Sequence, residues 1–121
     1  MFFGRKSNDD LPALINEYDI VILPSLYEGC PKSLLEAMSC GKATIGSDVA
    51  GIKEIIQHKE TGYITKNDYL SISRSIDFLL SNHELTLKMG RAAREYIQKN
   101  HSIESYVRNE LEVYSELINV Y

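Results

Sequence analysis

At 121 residues, 44% of them hydrophobic, the chain suits one domain with a real core and leaves no room for a second. Its net charge of −4, with acids and bases spread along the sequence, gives no basic stripe to follow a phosphate backbone and argues against nucleic acid as a partner. No run approaches the ~18 apolar residues of a membrane span, the N-terminus lacks a signal-peptide core, and the 2 cysteines fit neither a disulfide framework nor a zinc site. The expectation is therefore a soluble, cytoplasmic chain with reduced thiols, peripheral to a membrane only through a part outside it.

In chain order, Met1-Phe2-Phe3-Gly4 reads as a short strand followed by a polar loop. Asp9 or Asp10 can cap a helix over residues 11–18, with Pro12 in its first turn and Leu11, Leu14 and Ile15 on one face. Ile20-Val21-Ile22-Leu23 is an aliphatic run without alternation, as in a strand buried on both faces of a parallel sheet. It ends at Pro24-Ser25. A helix from Pro31 stops near Gly41, a natural residue to follow a helix end, and Ala43-Thr44-Ile45-Gly46-Ser47 is the next strand. Residues 52–58 form a short helix with Ile52, Ile55 and Ile56 inward, and residues 61–65 a last strand. The alternation implies a partial Rossmann-like α/β fold: a parallel sheet of about four strands with flanking helices and right-handed crossovers.

From Tyr69 onward the apolar period becomes 3.6, which makes a helical tail. Its faces read as Tyr69, Ile72, Ser73, Ile76, Leu79 and Leu80, then Leu85, Met89, Ala92, Ala93 and Tyr96, then Val107, Leu111, Tyr114, Leu117 and Ile118. Asn67 or Asp68, Asn82 and Ser102 are the expected caps.

The chemistry is expected between the second strand and its helix. In open parallel sheets ligands bind beyond the carboxyl ends of the strands, which is where the loop after Ser25 must lie. A helix with Pro31 first leaves the N–H groups of Lys32, Ser33 and Leu34 unpartnered at its positive end, and Gly29 lets a ligand approach the backbone. Helical spacing turns Pro31, Leu34, Leu35 and Met38 inward and sets Lys32 and Glu36 roughly opposite. Glu28, ahead of the helix, could accept hydroxyls of a sugar, and Glu36, one turn in, those of a ribose. The plainer alternative is that Glu28 only complements the helix dipole and that Lys32 with Glu36 is a solvated i,i+4 pair.

The run Asp19-Ile20-Val21-Ile22-Leu23-Pro24-Ser25-Leu26-Tyr27-Glu28-Gly29-Cys30-Pro31-Lys32-Ser33-Leu34-Leu35-Glu36-Ala37-Met38 resembles the E-x7-E region of retaining GT-B glycosyltransferases of the glycosyltransferase 4 family, also called glycosyl transferases group 1. Ser47-Asp48-Val49-Ala50-Gly51-Ile52-Lys53-Glu54 and Glu60-Thr61-Gly62-Tyr63 resemble the next two family blocks. The resemblance implies half of a GT-B architecture: a single, N-terminally truncated nucleotide-sugar-binding domain over residues 1–121. Carried over, Glu28 is the catalytic-side carboxylate on the transferred sugar. Gly29, Cys30, Pro31, Lys32, Ser33, Leu34 and Glu36 bind the donor, the amides holding sugar and diphosphate and Glu36 the ribose. It further implies a nucleotide-diphosphate sugar as partner, no cofactor and no metal, a role in polysaccharide assembly, and an acceptor domain and basic residues preceding Met1. Gly4-Arg5 would border the base.

Ala50 departs from the family by replacing the first glycine of a Gly-Gly pair. His58, His83 and His101 have no metal-ligand spacing and read as surface or helix-end residues. Residues 106–121 are expected to leave an apolar stripe exposed, through which a homodimer could form. A non-catalytic nucleotide-sugar-binding module and an interaction module are the rival functions.

Overall fold

The computed structural model describes residues 4–7 and 9–120. Three parallel strands form a sheet in the order β1 (Ile20–Leu23), β2 (Ala43–Ser47), β3 (Tyr63–Thr65). Ile20 pairs with Ala43 and Leu23 with Gly46, while Ile45 pairs with Tyr63 and Ser47 with Thr65. Of the expected fourth strand, residues 1–3 lie outside the described residues, and Gly4, at φ +66°, is not in a strand.

β2 is buried along its whole length because helices cover both faces of the sheet. Alternation along it sorts the core: Ala43 and Ile45 join Leu79 and Met89 on one face, and Gly46 meets Ile52 and Ile56 on the other. That second face is filled by Leu34, Met38, Ile52, Ile55, Ile56, Ala93 and Ile97.

α1 (Leu11–Asn16) ends two residues before the expected Tyr18; Asp10 takes its N-cap position as expected but makes no side-chain bond to its first turn. The Asp10 carboxylate instead accepts the Ser7 hydroxyl at 2.7 Å. α2 (Lys32–Ser39) ends as anticipated: Gly41 at φ +73° lets its own N–H reach Met38 O at 2.9 Å and the Lys42 N–H reach Ala37 O at 3.2 Å.

α3 (Ala50–Lys53) starts and stops earlier than the helix expected over residues 52–58. Ile55 and Ile56 are still buried, but past the end of the helix; Lys59 takes φ +67°, His58 and Gly62 form an isolated bridge, and β3 spans only three residues. α4 (Tyr69–Ser81) is capped by Asp68, whose Oδ1 accepts the Ser71 N–H at 2.9 Å; that bond and one from the Ser71 hydroxyl lower the carboxyl's pKa. α5 (His83–Asn100) follows Asn82, whose side chain donates back to Phe78 O at 2.7 Å and does not cap. The Ser105 N–H donates to Ser102 Oγ at 3.1 Å as α6 (Ile103–Val120) begins.

Two of the three tail faces need correction. Tyr69 and Leu80 are exposed, and α4 buries Ser75 and Leu79 with Ile72 and Ile76 half-buried. α5 buries Thr86, Met89, Gly90, Ala93 and Ile97, a stripe rotated from the expected one so that small and polar residues meet the turn after α2. On α6 the expected stripe is exposed, from Val107 through Leu111 and Tyr114 to Ile118. No helix among the described residues is long and apolar enough to cross a membrane.

Candidate functional site

β1 delivers the chain to the sheet's carboxyl edge, where the Ser25 N–H folds back onto Leu23 O at 3.1 Å. Ser47 Oγ, at the end of β2, donates to the same carbonyl at 3.4 Å. From this anchor the Ser25 hydroxyl donates to Glu28 Oε1 at 2.9 Å, so the half-buried carboxylate is held by a side chain three residues earlier. Between them Leu26 and Tyr27 are each 86% exposed, a large apolar surface beside a carboxylate.

Beneath this loop lies Gly51, fully packed against main-chain atoms of Glu28 and Gly29. Gly29 and Cys30 are exposed, and both cysteines are free thiols.

Pro31 is the N-cap of α2, with φ −78° and ψ 83°, rather than its first helical residue, and its side chain is buried. This corrects the expected set of free amides. The Lys32 N–H donates to Cys30 O at 2.9 Å, and those of Leu34 and Leu35 donate to Pro31 O at 3.1 and 3.2 Å. Among the described residues the Ser33 N–H alone of the three expected amides meets no protein acceptor. Leu34 itself is fully buried, so a ligand could meet only its backbone.

One turn further, Lys32 Nζ lies 4.0 Å from Glu36 Oε1, with Glu36 the more sheltered of the two. Both line a groove of about 300 Å³ that runs along α2 past Leu35, Ser39 and Cys40. Leu11, Pro12 and Ile15 of α1 and Ile97 and His101 at the end of α5 form its other walls. Glu28 does not line this groove. The structure thus gives the two carboxylates separate settings, one on the loop after β1 and one on the flank of α2.

Sequence reasoning passed over Ser25, Gly51 and the walls from α1 and α5. A serine three residues before a glutamate was a legible signal for the first; the others depend on tertiary packing. Among the described residues no three His, Cys, Asp or Glu side chains gather to hold a metal ion. His58 Nδ1 accepts the Ile64 N–H at 2.9 Å, and its ring meets Tyr63 edge-on at 4.7 Å.

A sequence model described as "Glycosyl transferases group 1" matches residues 1–96. The chain is 34% identical over 119 residues to the N-acetyl-alpha-D-glucosaminyl L-malate synthase of Bacillus anthracis, covering 98% of this chain and 31% of that protein. Among solved structures, a glycosyltransferase from Rickettsia africae superposes with a TM-score of 0.87 at 27% identity, over 98% of this chain and 32% of the other. A TarM mutant of S. aureus, in complex with fondaparinux, alpha-GlcNAc-glycerol and UDP, superposes with a TM-score of 0.77 at 27% identity, over 85% of this chain and 21% of the other. The chain therefore spans about a third or less of the length of these proteins.

Proposed function

Since the chain belongs to the glycosyl transferases group 1 family, we propose that it is the donor-binding part of a longer, retaining glycosyltransferase of GT-B type. That enzyme moves a sugar from a nucleoside diphosphate to an acceptor hydroxyl. The bond between the anomeric carbon and the phosphate oxygen breaks, the nucleoside diphosphate departs with the electron pair, and the acceptor oxygen bonds to the carbon as its proton is lost.

The observation that carries this assignment is the separation of the two carboxylates. Glu36, half-buried on the groove along α2, suits a ribose, whose two hydroxyls can each donate to a carboxylate oxygen. Glu28, restrained by Ser25 at the carboxyl edge of the sheet, suits the hydroxyls of the transferred sugar. Between them run Gly29, Cys30, Pro31, Lys32, Ser33 and Leu34, with the Ser33 N–H free to meet a phosphate oxygen and the α2 dipole adding partial positive charge. The UDP held by the TarM structure supports a nucleoside diphosphate as the ligand. A donor site of this kind needs no metal, since leaving-group charge would be met by helix amides and by basic residues elsewhere in the longer protein.

On this assignment the 121-residue chain binds donor weakly and turns nothing over. Titrating UDP, GDP and their sugars against the chain by ligand-observed NMR tests it. Binding should fall about tenfold in Glu36→Gln, the loss of a hydrogen bond to a charged group. A response indifferent to that substitution, or sugar transfer by the purified chain, would sink it.

A further inference from the structure

Gly51 stands in the first turn of α3, directly under the loop that carries Glu28. A Cβ there would lie 2.1 Å from the Glu28 carbonyl oxygen, 2.7 Å from that of Gly29 and 2.8 Å from the Glu28 carbonyl carbon. All three are main-chain atoms, so no change of rotamer relieves the clash; one loop must move. The contact is one-sided, because a Cβ on Gly29 would meet nothing within 4 Å. It is the bare α-carbon at the start of α3 that lets the loop settle where it does.

The platform beneath Glu28 is itself fixed to its surroundings. The Asp48 N–H donates to Thr65 O at 2.9 Å, the Asp48 carboxylate pairs with Lys53 at 3.2 Å, and Ile52 next to Gly51 is fully buried in the core. Glu28 is thereby tied through Gly51 to β3, an element with which it shares no hydrogen bond. The Ser25 hydroxyl orients the carboxylate, while the Gly51 contact bears directly on the backbone of the residue that carries it.

We propose that Gly51 is a positioning residue for Glu28: by packing without a side chain under residues 28–29 it sets the distance between the Glu28 carboxylate and the sugar of the bound donor. This rests on the assignment of Glu28 to the transferred sugar made above. Displacing the loop would therefore remove the sugar's share of the affinity while sparing the nucleotide's, which falls to Glu36 on the groove along α2.

The test compares affinities of the 121-residue chain for UDP with UDP-glucose, and for GDP with GDP-mannose, in four proteins: the native sequence, Glu28→Gln, Gly51→Ala and Gly90→Ala. The last introduces a backbone clash of the same severity, from mid-α5 onto Gly41 O at 2.2 Å, far from Glu28 in sequence and against the turn after α2. The native chain should prefer the nucleotide sugar by roughly tenfold. Glu28→Gln and Gly51→Ala should both reduce that ratio to about one with nucleotide affinity kept, and Gly90→Ala should lose stability and leave the ratio alone.

A native ratio retained by Gly51→Ala, or lost equally by Gly90→Ala, overturns the positioning role and leaves the donor assignment standing. A native chain that binds neither pair, or binds sugar and nucleotide alike, overturns the donor assignment and this role with it. Should Gly51→Ala fail to fold, amide shifts of the native chain decide. Going from nucleotide to nucleotide sugar should move the Gly51 resonance together with that of Glu28 and should move neither in Glu28→Gln, whereas a Gly51 resonance that stays still while Glu28 responds overturns the role.

Discussion

Gly90 of α5 lies against the carbonyl oxygen of Gly41, so near that a Cβ on Gly90 would stand 2.2 Å from it. This contact seats the long helix on the turn that joins α2 to β2. Because the obstructing atom is backbone, Gly90→Ala should cost about 1–3 kcal/mol by overpacking, more than the ~1 kcal/mol an exposed helical alanine gains over glycine. Urea unfolding measures the difference, and a Gly90→Ala protein as stable as the native one would show that the two elements yield freely.

Two buried threonines should respond in opposite senses to the same substitution. Thr44 is fully buried with an unpartnered hydroxyl, so Thr44→Val should leave stability unchanged or raise it by about 1 kcal/mol. Thr86 Oγ1 donates to Leu79 O at 2.6 Å across the joint between α4 and α5. Thr86→Val removes that bond and leaves the Leu79 carbonyl only the Asn82 N–H at 3.2 Å, which should cost about 1 kcal/mol. Paired melting curves would check the sign of each, and equal effects would contradict the hydrogen-bond assignments.

His58 should make stability fall as solutions become acidic. Partial burial, with the Lys59 charge beside it, lowers its pKa below the ordinary 6.5, and its Nδ1 must stay unprotonated to accept the Ile64 N–H. The unfolded chain therefore binds the proton more readily. The contribution is present above 6.5 and is lost as pH falls below that value toward the folded-state pKa. Melting temperatures of the native chain and His58→Gln at about pH 7.5 and about pH 5.5 should show a smaller acid loss in the variant. Identical acid losses would remove His58 as the cause.

The exposed stripe on α6 should drive self-association that strengthens with salt. Its apolar residues favour contact, while four glutamates against one arginine along the same helix repel a second copy until ions screen them. Light scattering should show mass rising with concentration and ionic strength, and Leu111→Gln with Ile118→Gln should abolish the rise with stability changed by less than about 0.5 kcal/mol. A protein monomeric throughout would refute it.

Where the sequence was legible, local physics and tertiary packing agreed. The strand at 20–23, the left-handed turn at Gly41 and the Asp68 and Ser102 caps each depend on a few neighbouring residues and lie where expected, although that strand is half-buried rather than buried on both faces. The site's two carboxylates were legible by spacing and resemblance. What escaped was set by residues far apart in the chain. The left-handed turn that brings the chain into β3 sits on Lys59, which carries no glycine signal. α5 turns Thr86 and Gly90 inward because a carbonyl and a backbone turn await them, against the apolar count of its faces. The groove beside Glu36 needs α1, α2 and α5 together, and the seat of Glu28 on Gly51 exists only because β1 and β2 are neighbours.

That same neighbour relation reaches into kinetics. Among the described residues each strand pairs with the next one along the chain, across connections of 19 and 15 residues, so neither pairing waits for a distant segment. The entropy of closing both loops is similar and modest, and the shared partner is β2. A sheet organised so grows outward from its middle: substitutions in β2 should slow folding, and those in the edge strand β3 should chiefly speed unfolding.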